Sequence, residues 1–172
     1  VFPDLRYMEW FTPVQTLGPG ASRVAAQLNS RGLLFGLTGG PVTFGAGGWG
    51  RLAVCAGPAG NKNQTGLALE ARVRAEDGTE DWVLMTGDAD YQHAVAALGT
   101  SNVYAGLVVA HHGATFAGPV PIPTGAARAA VSYGDGNTYG HPSATALTAH
   151  AAWSLERTAM YKSTSRGCRY LP

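Results

Sequence analysis

The chain has 172 residues, of which 45% are hydrophobic and 13% charged. That length and composition fit one ordinary globular domain, residues 1–172, with a core of its own, and they exclude an intrinsically disordered chain. A formal net charge of +1 does not by itself announce a nucleic-acid partner, and no apolar run approaches a membrane span.

The first 19 residues, "VFPDLRYMEWFTPVQTLGP", are aromatic and punctuated by proline, and read as an irregular entry segment with one short strand. Val24 and Leu28 stand at helical spacing in "GASRVAAQLNSR", and Gly32 follows as a C-cap, so residues 20–31 are predicted to form a helix. "GLLFGL", "PVTFGAG" and "GRLAVCAGP" are short β-rich runs separated by glycines. After the turn "NKNQTG", "LALEARVR" alternates apolar and polar residues as a half-buried strand does, and "AEDGTED" turns the chain into the strand "WVLMT".

The pattern then changes. "YQHAVAALG" is a short helix ended by Gly99, "VYAGLVVA" and "AAVSY" are buried strands, and "PSATALTAHAAWSLER" reads as the last helix, with Pro142 or Ser143 at its start. "TAMYKS" is expected to close the sheet as an edge strand. Strands in antiparallel style followed by strands alternating with helices predict a layered α/β sandwich. The terminal segment 157–172 is basic: no acid follows Glu156, whereas Arg157, Lys162, Arg166 and Arg169 do. Such a tail suits a phosphate backbone and equally suits plain solvent. Cys55 and Cys168 lie far apart in no metal-binding spacing; a disulfide and two separate thiols both remain open, the unpaired state being favoured. No secretory signal is visible; a cytoplasmic location is favoured, with an extracytoplasmic one left open.

Three apolar runs end abruptly in glycine beside Asp or His: "WVLMTGDAD", "GLVVAHHGA" and "VSYGDGNTYGHPS". Asp88 follows a buried strand and a glycine that lets the chain turn; its carboxylate suits a cation, or alternatively caps the next helix, a task for which Asp90 competes. His111 and His112 follow the second strand, and neutral imidazole is the commonest protein ligand for zinc-like ions. Neighbours on an extended chain point opposite ways, so one of the two is expected to ligate and the other to serve the substrate. His141 precedes a helix start, where backbone N–H groups favour an anion, and Asn137 and Tyr139 add donors. Asp135 is read as a solvent-facing turn residue. His93 and His150 are expected on the surface.

In this order, Gly87-Asp88, His111-His112-Gly113 and Asn137-Thr138-Tyr139-Gly140-His141-Pro142 resemble the metallo-β-lactamase fold. More closely they resemble the soluble C-terminal domain of ComEC-type competence proteins and its free-standing relatives. The resemblance runs from about residue 20 to the end and takes in the Asn-rich turn "NKNQTGLAL" and "RTAMYKSTSRG". It implies an αββα sandwich and metal-dependent phosphodiester hydrolysis, above all of DNA, with two divalent ions, zinc or manganese. It makes Asp88 the acid that bridges the ions and His112, or His111, a late metal ligand. Asn137 and His141 would steady a phosphate or leaving oxygen, and Tyr139, Arg157 and Lys162 would assist in binding substrate.

The family's main metal-binding element, His-x-(His or Asp)-x-Asp-His, does not occur in residues 1–172. The chain therefore corresponds to the C-terminal portion of such a fold, and Asp88 with one or two histidines cannot enclose two cations about 3.5–4 Å apart. The expected partner is an upstream fragment of the same precursor, present as a second chain; the valine at position 1 is in keeping with a cut product. DNA is the expected substrate, and a higher oligomer is left open. Two alternatives stand beside this one: a non-catalytic interaction or regulatory scaffold, and a hydrolase of a small ester, lactam or cyclic nucleotide.

Overall fold

The computed structural model describes residues 8–74, 77–134 and 137–158. The chain divides into two compact units, Val1–Gly39 and Gly40–Pro172. In the first, strand β1 (Trp10–Pro13) pairs in parallel with β2 (Leu34–Leu37), and helix α1 (Pro19–Asn29) lies between them in sequence. Proline opens α1, where its missing N–H costs nothing, and Gly32 in the left-handed region turns the chain out of it. Phe11 and Phe35 face each other across the strand pair with ring centroids 5.6 Å apart.

The second unit is built on a seven-stranded mixed sheet whose strands follow one another in sequence order. These are β3 (Val42–Phe44), β4 (Gly50–Val54), β5 (Leu67–Arg74), β6 (Glu80–Met85), β7 (Val103–Val108), β8 (Ile122–Val131) and β9 (Ser154–Arg157). The pairs β3–β4, β4–β5 and β5–β6 are antiparallel, whereas β6–β7, β7–β8 and β8–β9 are parallel. Hairpin-style strands followed by crossover-linked strands give this mixed α/β sheet, in agreement with the coarse α/β class.

Helix α2 (Tyr91–Leu98) links β6 to β7 and packs over β4 and β5, placing Tyr91, Ala94 and Leu98 in the core. Gly99, left-handed, ends it as its sequence position predicts. Asp90 stands at its N-cap without a side-chain cap bond; instead the Asp90 N–H donates to the Gln64 side-chain oxygen at 2.9 Å. Leu84, Tyr104, Leu107, Ala129, Val131 and Trp153 complete the core around these side chains.

Two sequence expectations are corrected. The last helix, α3, covers only Ala144–Ala149, and the "SLER" predicted to continue it is strand β9, paired with β8. The Trp153 indole N–H bonds the Pro121 carbonyl at 3.1 Å, fixing the chain where it leaves the helix, and sheet pairing then overrides local helix propensity. The edge strand expected in "TAMYKS" lies, beyond Thr158, outside the described residues. Strand β8 starts well before "AAVSY", since Pro123 and Gly125 obscure a strand that passes through them.

One charged group is anchored in the sheet. The Glu70 carboxylate, 1% exposed, accepts from the Arg51 guanidinium at 3.0 Å and from the Tyr104 hydroxyl at 2.8 Å. Burial, chiefly, and the adjoining carboxylate push the Tyr104 hydroxyl above its ordinary pKa, so it stays a donor. Arg51→Ala leaves a buried carboxylate without its counter-charge and is expected to lower unfolding stability by roughly 2–4 kcal/mol. Urea titration checks this value; an unchanged midpoint would contradict the anchoring role.

Candidate metal and phosphate site

The parallel strands β6, β7 and β8 all finish at one end of the sheet, in register through Met85, Val108 and Ala130. Their continuations carry Asp88, His111–His112 and the loop from Ser132 to His141. The carboxyl ends of parallel strands are where open α/β sheets bind ligands.

The histidines do not sit on extended chain as expected. They occupy a tight 3-10 turn, Ala110–Gly113, with φ of 48° at His111 and 56° at His112, and Gly113 follows at 80°. Left-handed geometry costs a side-chain-bearing residue about 1–2 kcal/mol, so the surroundings must hold it. The His111 N–H donates to the Gly87 carbonyl at 2.9 Å, tying the end of β7 to the end of β6. The Ser143 N–H donates to the Gly113 carbonyl at 2.8 Å. A Cβ on Gly113 would lie 2.6 Å from that of Pro142, so only glycine lets these two loops approach.

Beneath this turn lies a buried polar node that sequence reasoning missed. His150, expected on the surface, is 1% exposed. Its Nδ1–H donates to the Ala146 carbonyl at 2.7 Å, which leaves Nε2 as the acceptor for the Tyr91 hydroxyl, also at 2.7 Å. The Tyr91 oxygen in turn accepts the Ala110 N–H at 3.0 Å. One hydroxyl thereby joins α2, the histidine turn and α3. The sequence signal is faint: both residues follow helix starts or ends, and neither stands in an obvious motif.

At the surface, the His112 Nδ1–H donates to the Ser132 carbonyl at 2.7 Å, which turns Nε2 toward Asp88, 3.6 Å from its Oδ1. That separation exceeds a hydrogen bond. It matches two donors sharing one tetrahedral ion, which bond lengths of about 2.0–2.2 Å set roughly 3.4 Å apart. A ligand histidine braced through its other nitrogen by a carbonyl is the usual arrangement. The pair thus fits part of a coordination sphere. Among the described residues no three His, Cys, Asp or Glu side chains gather to hold a metal ion.

His111 points elsewhere: its Nε2 lies 3.4 Å from the Asn63 amide nitrogen, and its ring centroid is 5.7 Å from that of His141. Asn63 belongs to the Asn-rich turn, where the Asn61 side chain accepts from the N–H groups of Asn63 and Gln64. That turn was legible as part of the pattern, though not as a neighbour of the site.

Asn137 acts inside its own loop. Its amide donates to the carbonyls of Gly134 (3.0 Å) and His141 (2.7 Å), and its oxygen accepts the His141 N–H at 3.2 Å. Both amide hydrogens are therefore committed to the loop. Helix α3 is too short for the expected anion site, and its first donors are engaged: Ser143 N–H with Gly113, and Ala146 N–H with the Ser143 hydroxyl. Tyr139 stacks on His141, ring planes 14° apart and centroids 6.1 Å apart. His112, Ser132, Tyr133, Gly134, Asn137, Tyr139 and His141 line a recess of about 290 Å³. Arg157 closes β9 at the same end of the sheet, outside that lining, whereas Lys162, Cys168 and Asp135 lie outside the described residues. His93 is half-buried on α2 and takes no part. The Cys55 thiol is buried, and its desolvation pushes its pKa up to about 11, away from reactive thiolate chemistry.

No protein-family model, curated protein or solved structure matches the chain.

Tyr91→Phe would orphan both the Ala110 N–H and the His150 Nε2 and is expected to cost roughly 2–4 kcal/mol in chemical denaturation. Burial lowers the His150 pKa below its ordinary 6.5 in the folded protein. The unfolded chain then binds more protons, so stability is complete above pH 6.5 and falls as pH drops through the folded value. Denaturation midpoints measured from pH 7.5 to 5 should decline, and His150→Gln should flatten that decline; equal slopes would contradict it.

Proposed function

We propose that this chain is part of a metal-dependent phosphodiester hydrolase of metallo-β-lactamase type, with DNA as its substrate. The observation that carries this is the facing of Asp88 and His112 across 3.6 Å at the carboxyl ends of parallel strands, with His112 oriented by the Ser132 carbonyl. Asp88 and His112 would hold divalent metal, zinc or manganese, which when bound activates water and neutralises charge on a phosphate. The remaining donors would come from an upstream segment of the same precursor, carried by a second chain.

Within this chain, Asp88 supplies carboxylate oxygens and His112 the Nε2 lone pair. His111 and His141 flank them and can hydrogen-bond a phosphate or leaving oxygen. Asn137 holds His141 in place through the bonds within its loop, and Tyr139 and Tyr133 wall the adjoining recess. Arg157 adds positive charge at the same sheet end, and Lys162 follows in the basic tail. The exposed edge strand β3, with Val42 and Phe44 in the open, leaves a sheet edge that a further chain can cover.

Asp88→Ala is expected to reduce metal-dependent DNA cleavage beyond the roughly 10–100-fold that loss of a ligand's hydrogen-bonding partner costs. The melting temperature should change little, because Asp88 is partly exposed and makes no bond the core relies on. Gel-based cleavage and a thermal melt measure the two effects; full cleavage by the variant would rule out this assignment. A scaffold without chemistry predicts instead that chelators affect none of its activities.

A further inference from the structure

We infer that the recess beside His112 is a seat for one unpaired nucleobase, so the substrate is engaged as a single strand. This deepens the hydrolase proposal and rests on it for the identity of the polymer. Tyr139 is 81% exposed, the most open large hydrophobic side chain among the described residues. An isolated exposed tyrosine is ordinary; this one is paired with a second ring. Its ring lies almost parallel to that of His141, whose backbone is bonded on both sides by the Asn137 amide. The loop's other end is fixed too: the Tyr133 N–H donates to the Thr158 hydroxyl at 3.1 Å, whose single proton goes to the Tyr133 carbonyl at 3.2 Å, with the Val131 carbonyl the more distant acceptor at 3.4 Å.

An open ring lying parallel to a neighbouring one presents a π-face, and aromatic faces of this kind bind single-stranded nucleic acid without regard to sequence. The recess, about 290 Å³ and walled by Tyr133 and Tyr139, has room for one planar heterocycle and not for a stacked pair of strands. His112 lies in the same lining, so a base seated there brings its own phosphodiester beside the Asp88–His112 pair. Bases within a duplex have both faces covered by their neighbours and cannot take this position without being extruded.

The test uses the full chain with a short single-stranded DNA carrying one fluorescent adenine analogue, in chelator so that cleavage plays no part. Binding should quench the analogue. Tyr139→Ala should weaken binding about ten- to hundredfold, the range for losing one base–aromatic stack, while Tyr139→Trp should retain it. The same strand in a duplex should bind as poorly as the variant. Absence of quenching, equal binding of duplex and single strand, or an unchanged Tyr139→Ala affinity would each overturn the inference. Its failure separates from that of the hydrolase proposal. If Tyr139→Ala binds and cleaves like the parent while Asp88→Ala does not cleave, the base seat falls and the hydrolase stands. If Asp88→Ala cleaves fully while Tyr139→Ala loses binding, the reverse holds.

Discussion

The Tyr91 hydroxyl is the point on which the arrangement of the site depends. It is buried, accepts the N–H of Ala110 and donates to His150, and so reaches two loops at once from the start of α2. Ala110 begins the turn that carries His111 and His112, and Tyr91 itself follows Asp88 by three residues. A single satisfied buried oxygen therefore holds both walls of the Asp88–His112 gap in register. Burial pushes its pKa well up, so it remains a hydrogen-bond donor across the ordinary pH range. Buried polar groups are costly unless fully bonded, and full bonding is what makes such a node specify one geometry.

The strain in the histidine turn has meaning against that background. Two consecutive histidines in the left-handed region, followed by Gly113, form a backbone that its own residues do not prefer. It persists because Gly87, Tyr91 and Ser143 each bond to it from a different element. The outcome is a pair of imidazoles pointing in unlike directions, one toward Asp88 and one toward Asn63 and His141. Opposite directions for the two imidazoles were expected from strand alternation; the turn produces them by another route.

Much of this was legible in the sequence, and what was not has physical causes. Glycine punctuation and apolar periodicity located most of the strands and both of the first two helices, and the three Gly-flanked ends pointed to residues that do come together. The final helix was overextended because "AHAAWSLER" has good helix formers, and only pairing with β8 and the Trp153–Pro121 bond make it a strand. His150 was misplaced for a related reason: with α3 shorter than predicted, the helix stripe used to judge its exposure no longer applied. The role of Asn137 was hidden too, since sequence shows an amide in a polar loop and not that both of its hydrogens are taken by Gly134 and His141.

The central claim is that Asp88 and His112 are one wall of a metal site whose other donors reach it from elsewhere. It is tested most directly by native mass and metal content of the protein purified from its source cells, for the parent and for Asp88→Ala. The account predicts an assembly in which a second chain bears a His-x-Asp-type element, with about two ions bound per site and fewer in the variant. A metal-free chain of 172 residues, or a metal content indifferent to Asp88, would contradict it.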